Sequence, residues 1–423
     1  MLLIHTPQTT SRLDYAFKHI CTRILGVKVQ FVSVIEEFIA HEGPKMSYGK
    51  QPIGSEAFVQ AHGLLTEQGF DDLEITVQPW DDTICFFPVR VHSSVPFDIF
   101  ASTFYLLSRY EEYIPHLKDE MDRFPAEESL AYKEGFLQQP VIDIWAFKFK
   151  KVLKAHFPEM PFVERNFVQH HMVDATQPFA YTQRGFLRNF AGYFSDLGRF
   201  KFKHILNRSR VLLGLRKDPY DVFSWMINVA KQGHIKLTVL FLMGEGFSFK
   251  QDSNTQRKHY RKTVKFVSDY AEVGLIFSYH SLGNEERLKR EKLQMEELTH
   301  RSLQCSLNDK LLVNLPHNYR NSLELEVARD ASMLYESTLG FRSGTCTPFL
   351  FYDLDYEIKT PLIIHPMAGV TSALAGKKEG QIESELMKVK QEVAAVNGTF
   401  SLLFSNQNFT SDQLFWRRFF AEK

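Results

Sequence analysis

An acid at the end of an apolar run is the side chain in this sequence best placed for chemistry. Asp174 lies near the end of the stretch 166–176, whose apolar residues and flanking prolines predict a buried β-strand. Successive strand side chains point to opposite faces, so His170, Asp174 and Thr176 share one face. Because acids at the C-terminal ends of barrel strands commonly serve in catalysis, Asp174 is a candidate catalytic residue.

Apolar runs and amphipathic segments alternate through the second half of the chain. Strands are predicted at 236–242, 273–279, 361–364 and 398–404. Helices are predicted at 257–271, 285–298, 316–327, 380–396 and 411–421, and one more is predicted to begin with Asp218 as its N-cap. Such alternation is typical of an α/β protein with a parallel sheet or barrel.

Residues 1–160 have a different pattern, which predicts a smaller α+β domain before the barrel. Helices are predicted at 15–25, 97–113 and 144–156, and strands at 27–34, 73–77 and 83–91. The change of pattern after Pro161 predicts two domains, residues 1–160 and residues 161–423.

The composition argues against several classes of protein. The chain of 423 residues carries 50 Lys or Arg and 50 Asp or Glu, so no net charge attracts nucleic acid. Its four cysteines contain no Cys-x-x-Cys pair, which argues against a disulfide framework and a zinc ribbon. The N-terminus has no secretion-signal pattern, and no apolar stretch approaches the ~20 residues that span a bilayer. We therefore expect a cytoplasmic protein with no membrane span and no nucleic-acid partner.

One local cluster departs from this charge balance. Its basic residues are Lys203, His204, Arg208, Arg210, Arg216 and Lys217. Such a cluster is either a solvated helix face or a surface for an anionic partner, and the solvated face is the favoured interpretation.

Seven stretches resemble a known family, and together they span nearly the whole chain. They are Pro96–Asp98, Tyr105–Tyr113, Arg123–Ser129, Pro140–Trp145, Asp269–Gly274, Gly340–Phe349 and Ile364–Pro366. On these stretches the chain resembles the bacterial polysaccharide deacetylases (carbohydrate esterase family four, with NodB homology), in the cytoplasmic Bacteroidetes form with an extra N-terminal domain. The resemblance implies a distorted (β/α) barrel.

The resemblance also implies a metal-dependent hydrolase. In the family a divalent metal, usually zinc, is held by an acid and two histidines and activates water for amide hydrolysis. A second acid, held by an arginine, serves as general base, and a histidine serves as general acid. Arg342 and His365, which lie in matched stretches, therefore join Asp174 as candidate catalytic residues.

Most of the family's site residues are replaced in this sequence. Asp174 matches the first acid of the first motif, but Thr176 stands where the metal-binding acid is expected. Ile276 stands in place of a histidine in the second motif, and Ser405 in place of a histidine on the final strand.

A further departure lies at the arginine-bearing motif, where Leu303 and Cys305 replace an arginine and a histidine. Thr is a poor zinc ligand and Ile is none. Zinc with a single protein ligand has neither a fixed geometry nor a bound water of lowered pKa. We therefore expect no metal ligands and no cofactor.

The leading hypothesis is a deacetylase-like protein that has lost catalysis and binds a carbohydrate or a protein partner in surface-polysaccharide biosynthesis. The alternative is an active carbohydrate N-deacetylase that acts on an N-acetylated glycan through a relocated site and requires zinc. The side chains available to such a site are His170, His171, Asp174, His280 and His365.

Each candidate residue also has a structural interpretation. Asp174 is either a remnant of the general base or a helix cap. His365 is either a site residue or a histidine whose ring nitrogens bond to nearby backbone. Arg342 either holds a carboxylate in the cleft or anchors a glycine-rich loop.

Overall fold

The computed structural model describes residues 1–90, 92–182, 193–194, 197–198, 200, 202–247 and 255–422. These residues contain a four-stranded sheet, an eight-stranded sheet and a two-stranded hairpin. Among them, no helix has both the length and the apolar character needed to cross a membrane.

The four-stranded sheet lies in the first part of the chain. Its strands are β1 (Leu2–His5), β2 (Val29–Val32), β3 (Lys45–Gly49) and β4 (Ala57–Gln60). They lie in the order β2-β1-β3-β4, and every pairing is parallel. This sheet corrects the expected α+β arrangement to a parallel α/β one. Strands of four or five residues are too short to show the alternation by which a strand is recognised.

A short antiparallel hairpin and five helices complete this part. The hairpin is β5 (Gln78–Trp80) with β6 (Thr83–Cys85), and the helices are α1 (Ser11–Phe17, continued by a π-helical segment, Lys18–Ile24), α2 (Ile35–Ala40), α3 (Ile99–Leu107), α4 (Leu130–Lys133) and α5 (Val141–His156). The predicted strand at 73–77 was wrong, because that segment has no regular structure. Phe100 on α3 meets Phe149 on α5 edge to face, which packs these two helices together.

The eight-stranded sheet forms the second part. Its strands are β7 (Val168–Ala175), β8 (Lys236–Leu242), β9 (Glu272–Phe277), β10 (Cys305–Asn308), β11 (Arg329–Asp330), β12 (Phe349–Asp353), β13 (Ile358–Ile364) and β14 (Thr399–Ser405). Their order is β12-β13-β11-β10-β9-β8-β7-β14, and only β12 runs antiparallel to its neighbour. The parallel α/β sheet predicted from the sequence is therefore present.

This sheet is strongly curled. The ring centres of His170 on β7 and His365, which follows β13, are 4.8 Å apart. In a flat sheet these strands would lie five strand spacings, about 24 Å, apart. Backbone bonds join the two sides of the curl, from Ala368 N–H to Ser401 O at 2.8 Å and from Leu403 N–H to Gly369 O at 3.0 Å. The result agrees with the distorted barrel that the sequence predicts.

Seven helices of the described residues accompany this sheet: α6 (Phe202–Leu212), α7 (Phe223–Gly233), α8 (Lys258–Tyr270), α9 (Glu285–Thr299), α10 (His317–Glu324), α11 (Glu379–Ala395) and α12 (Leu414–Ala421). The prediction of Asp218 as an N-cap was wrong, because the helix begins only at Phe223. The Asp218 carboxylate instead accepts the backbone N–H groups of Ala180, Tyr181 and Thr182.

The two parts of the chain share one hydrophobic core. Phe104 on α3 and Tyr352 on β12 belong to the same buried cluster, with their rings 5.0 Å apart. The predicted domain boundary at residue 160 stays a prediction.

Candidate functional site

The C-terminal ends of the parallel strands meet at one edge of the curled sheet, which we call the rim, and Asp174 lies on it. Asp174 is the next-to-last residue of β7 and is partly buried. The N–H and the hydroxyl of Thr176 both donate to its Oδ1, at 2.7 and 2.6 Å. Burial raises the pKa of Asp174, and the hydrogen bonds from Thr176 oppose that rise.

A second acid, Asp309, follows β10 on the same rim. Its Oδ1 accepts the N–H of Lys310 at 2.9 Å, whereas its buried Oδ2 has no hydrogen-bond partner among the described residues. Burial raises the pKa of Asp309, the Lys310 ammonium lowers it, and the charge of Asp174 raises it. The backbone N–H groups of Lys310 and Tyr279 also lower it, by smaller amounts. The charge of Asp174 therefore acts on Asp309 across the rim.

The turn that carries Asp309 has an unusual backbone. Lys310 and Leu311 have φ values of 60° and 54°, in the left-handed region that disfavours residues with a Cβ. Arg123, from the first part of the chain, donates to the Lys310 carbonyl at 2.7 Å and helps to hold this turn. The Lys310 ammonium lies 4.6 Å from the centre of the Phe247 ring. The turn thus places an acid and a cation side by side.

Aromatic side chains continue the rim beyond Lys310. Phe247 follows β8, and its ring lies edge to face with Tyr279 at 5.0 Å and nearly parallel to His280 at 6.3 Å. Phe247 and Tyr279 are partly buried, and His280 is exposed. Rings beside carboxylates offer both an apolar surface for C–H groups and acceptors for hydroxyl groups. This combination suits a polyhydroxylated ligand.

The residues around Asp174 do not fit a zinc ion. Ser405 pairs with Asp174 in the ladder between β14 and β7, and the Thr176 hydroxyl already donates to Asp174. Ile276 is buried in the apolar cluster inside the curl and offers no lone pair. In the parts of the chain that the structure describes, no three His, Cys, Asp or Glu side chains form a group that could hold a metal ion. Cys305, at the start of β10, is buried in the same apolar cluster as Ile276.

The candidate histidines lie elsewhere. Nε2 of His365 is 2.9 Å from the Ser401 hydroxyl, and Nε2 of His170 is 2.8 Å from the Thr238 hydroxyl. Burial lowers the pKa of His170 to about 4 and that of His365 well below its usual range, so both rings are neutral at pH 7. Four residues of β7, about 13 Å, separate His170 from Asp174.

The other two histidines do not complete a site with Asp174 either. His171 points to the opposite face of β7, where its ring packs against Phe404 and Phe420. His280 is on the rim but is exposed, and it stacks on Phe247. The structure therefore does not gather the histidines of the relocated site around Asp174.

Arg342 lies in a buried ion cluster between the two parts of the chain. Its Nε and Nη2 donate to the two carboxylate oxygens of Glu112, at 2.9 and 2.6 Å. Arg109 also donates to Glu112, at 2.7 Å, and to the backbone carbonyl of Arg342. These contacts account for Arg342 as a joining residue, while a catalytic role for it stays a prediction.

Asp309 and Lys310 are the rim residues that the sequence analysis did not identify. A signal was present, because Asp309 follows a run in which the apolar residues Leu303, Cys305 and Leu307 alternate with polar ones. That run becomes β10, which has four residues, and so short a strand is hard to recognise.

Comparison with known sequences gives one family. Residues 2–158 match DUF7033, a family of unknown function. No curated protein sequence matches the chain. The family match covers the part of the chain before the curled sheet and assigns no activity to it.

Comparison with solved structures gives distant likenesses. A protein from Mycobacterium smegmatis described as a polysaccharide deacetylase aligns with 10% identity and a TM-score of 0.40, over 61% of this chain and 84% of its own. A CE4 family pseudoenzyme from Bacillus anthracis aligns with 9% identity and a TM-score of 0.31, over 60% of each chain. A polysaccharide deacetylase from Bacillus cereus aligns with 9% identity and a TM-score of 0.28, over 61% and 85%. Likenesses this distant leave function to be argued from the rim itself.

Proposed function

We propose that this chain binds an N-acetylated glycan at the rim, on a polysaccharide-deacetylase-type scaffold that no longer performs metal-dependent hydrolysis. The observation that carries the proposal is the set of facing groups on the rim. The acids Asp174 and Asp309 lie beside the Lys310 ammonium and the Phe247 ring. Carboxylates and an ammonium bind sugar hydroxyl and amide groups, and an aromatic ring packs against the apolar face of a sugar.

The loss of hydrolysis is proposed from the residues that replace the family's ligands. Thr176 donates to Asp174, and the buried Ile276 contributes only carbon atoms to the interior. Neither side chain activates water. A place in surface-polysaccharide metabolism is part of the same proposal and rests on the motif resemblance alone.

Binding is tested by titrating the full chain with oligosaccharides of N-acetylglucosamine in a calorimeter. Replacing the ring in Phe247→Ala is expected to weaken binding about tenfold, which corresponds to ~1.4 kcal/mol. The matched control is Phe70→Ala. It removes a partly exposed phenyl ring that packs against Tyr113 and is distant in sequence from Phe247. Equal affinity in both variants, or no binding by the natural chain, contradicts the glycan proposal.

Hydrolysis is tested separately, by measuring acetate release from the same oligosaccharides with and without added zinc. We expect none. Acetate release that disappears in Asp174→Asn would establish the alternative, an active N-deacetylase, and leave the location of the binding site intact.

A further inference from the structure

The connection between β7 and β8 begins at the rim, where β7 ends, and its segment 177–220 comes back to the rim before α7 leads to the start of β8 at the opposite end of the sheet. The side-chain amide of Asn406 donates to the carbonyl of Gln177 at 3.1 Å and to that of Tyr220 at 3.0 Å. The Asp218 carboxylate accepts N–H groups of Ala180 and Tyr181 at 2.7 and 2.9 Å. These bonds hold the two ends of that segment together, so α6, which lies between them, belongs to the rim end of the molecule.

The inner face of α6 is largely polar. His204, Asn207, Arg208 and Val211 follow the i, i+3, i+4, i+7 spacing of one helix face, and they line a cavity of about 780 Å³. A surface helix normally turns its apolar stripe inward. In α6 the inward face is instead the polar one, and Arg216, which follows the helix, lines the same cavity.

The outer face of α6 is apolar and exposed. At helical spacing Phe202 and Leu206 lie on the side opposite to the cavity-lining residues, and they are 61% and 52% exposed. Leu213, which follows the last residue of α6, is 74% exposed. Leu215, just beyond it, is 76% exposed. Soluble proteins rarely leave large apolar side chains grouped in this way unless the surface contacts a partner.

The charge of the same segment points to the kind of partner. Residues 202–217 contain five Lys or Arg and no Asp or Glu, although the whole chain carries 50 of each kind. A helix with exposed Phe and Leu on one side and basic residues around them is typical of segments that lie in the interface of an anionic bilayer. The apolar side chains enter the headgroup region, and of the basic residues the exposed Arg210 and Lys217 are available to lipid phosphates, whereas Arg208 is buried at the cavity.

We propose that α6 and the residues that follow it, up to Lys217, dock the rim end of this protein on an anionic membrane surface. The proposal goes beyond glycan binding, because it concerns where the protein works and rests on different residues. Docking at this end brings Asp174 and Asp309 close to the lipid surface, where a lipid-attached glycan is within reach.

The experiment is co-sedimentation of the full chain with vesicles. One set contains phosphatidylcholine alone, and the other contains equal parts of phosphatidylcholine and phosphatidylglycerol. We expect binding to the anionic vesicles, weakened by added sodium chloride, and little binding to the neutral ones. The double variant Phe202→Ser, Leu206→Ser and the double variant Arg210→Glu, Lys217→Glu are each expected to bind at least about tenfold more weakly.

Matched controls remove the same groups elsewhere. Leu117→Ser and Leu414→Ser change leucines that are 75% and 71% exposed outside α6. Lys231→Glu with Lys265→Glu reverses two exposed charges on α7 and α8. All of these variants should melt like the natural chain, because the altered side chains are exposed.

Three results would overturn the proposal. The first is no binding to anionic vesicles. The second is equal binding by the α6 variants and the controls. The third is self-association of the natural chain, without vesicle binding, that the variant Phe202→Ser, Leu206→Ser abolishes. That result would mean that the apolar face binds a second copy of the chain. Glycan titration of the same variants separates this outcome from the first proposal, since none of them alters the rim acids.

Discussion

Asp309 is a buried acid with one oxygen that receives no hydrogen bond from the described residues. Such a group is costly to hold as an anion, and the neighbouring charge of Asp174 adds to that cost. Lys310 opposes both effects without removing them. A ligand that donates a hydroxyl or amide hydrogen to Asp309 supplies the missing bond, which is a physical reason for a ligand to settle at this point of the rim.

The cost of holding Asp309 as an anion predicts that removing its charge stabilises the protein, by an amount that depends on pH. Its folded-state pKa is raised above the ordinary 3.8, so its contribution to stability is complete below that value and is lost as the pH rises through the folded pKa. Asp309→Asn should therefore stabilise the protein by about 1 kcal/mol at pH 7 and by less at pH 4. Thermal melting of both proteins across this range measures the difference.

Asp119→Asn is a control for which the expected change in stability has the opposite sign. Although its partial burial raises the pKa of Asp119, the backbone and side-chain hydrogen bonds from Arg123 outweigh that effect and lower it. The stability that the Asp119 carboxylate contributes is present above its ordinary pKa and is lost as the pH falls through its folded-state pKa. Asp119→Asn should therefore destabilise the protein at pH 7. A gain at pH 7 from Asp119→Asn, or a loss from Asp309→Asn, would refute this account of the rim.

At the scale of elements, long apolar runs were predictable, whereas the short strands β1, β3, β4 and β10 were not. The strand predicted at 236–242 is found at Lys236–Leu242, because seven residues show a clear pattern. The site depends on both kinds of strand, since Asp174 is the next-to-last residue of a strand of eight and Asp309 follows a strand of four. The sequence therefore indicated one of the two acids. Asp218 misled the prediction because an acid before a proline caps a turn as readily as a helix.

A glycine in β9 shows how tightly the curled sheet is packed. A Cβ on Gly274 would lie 2.5 Å from Cδ2 of Leu240 and 2.7 Å from the carbonyl oxygen of Cys305. Gly274→Ala should therefore destabilise the protein by roughly 1–3 kcal/mol. Gly380→Ala, in the open first turn of α11, should stabilise it by up to about 1 kcal/mol. Denaturant titration measures both, and similar changes in the two variants would contradict the packing argument.

At the scale of the whole molecule, a buried ion cluster joins the two parts of the chain. Glu112 accepts hydrogen bonds from Arg109 on its own side and from Arg342 on the other. All three side chains are almost fully buried. A buried carboxylate between two guanidinium groups has no route to water, so each member depends on the others.

Removing one member should therefore weaken both parts together. Glu112→Gln leaves Arg342 without its carboxylate partner and Arg109 with only Glu111, and we expect a loss of about 3–5 kcal/mol with one cooperative unfolding transition. Glu383→Gln, which breaks an exposed pair with Arg418, should cost about 0–1 kcal/mol. Scanning calorimetry distinguishes the outcomes, because two separate transitions in Glu112→Gln would mean that the parts fold independently.

Asn406 has a consequence for how this architecture can change over time. The side-chain amide of Asn406 donates to the carbonyls of both Gln177 and Tyr220 and so holds the two ends of the segment between them together. The positions of β7 and β8 therefore do not depend on the sequence of that segment. Lengthening a loop whose ends are held together adds little entropic cost to folding. The segment between Gln177 and Tyr220 can therefore be replaced by a longer or different one. Under the two proposals made above, membrane docking and glycan binding can then diversify separately, each under its own selection.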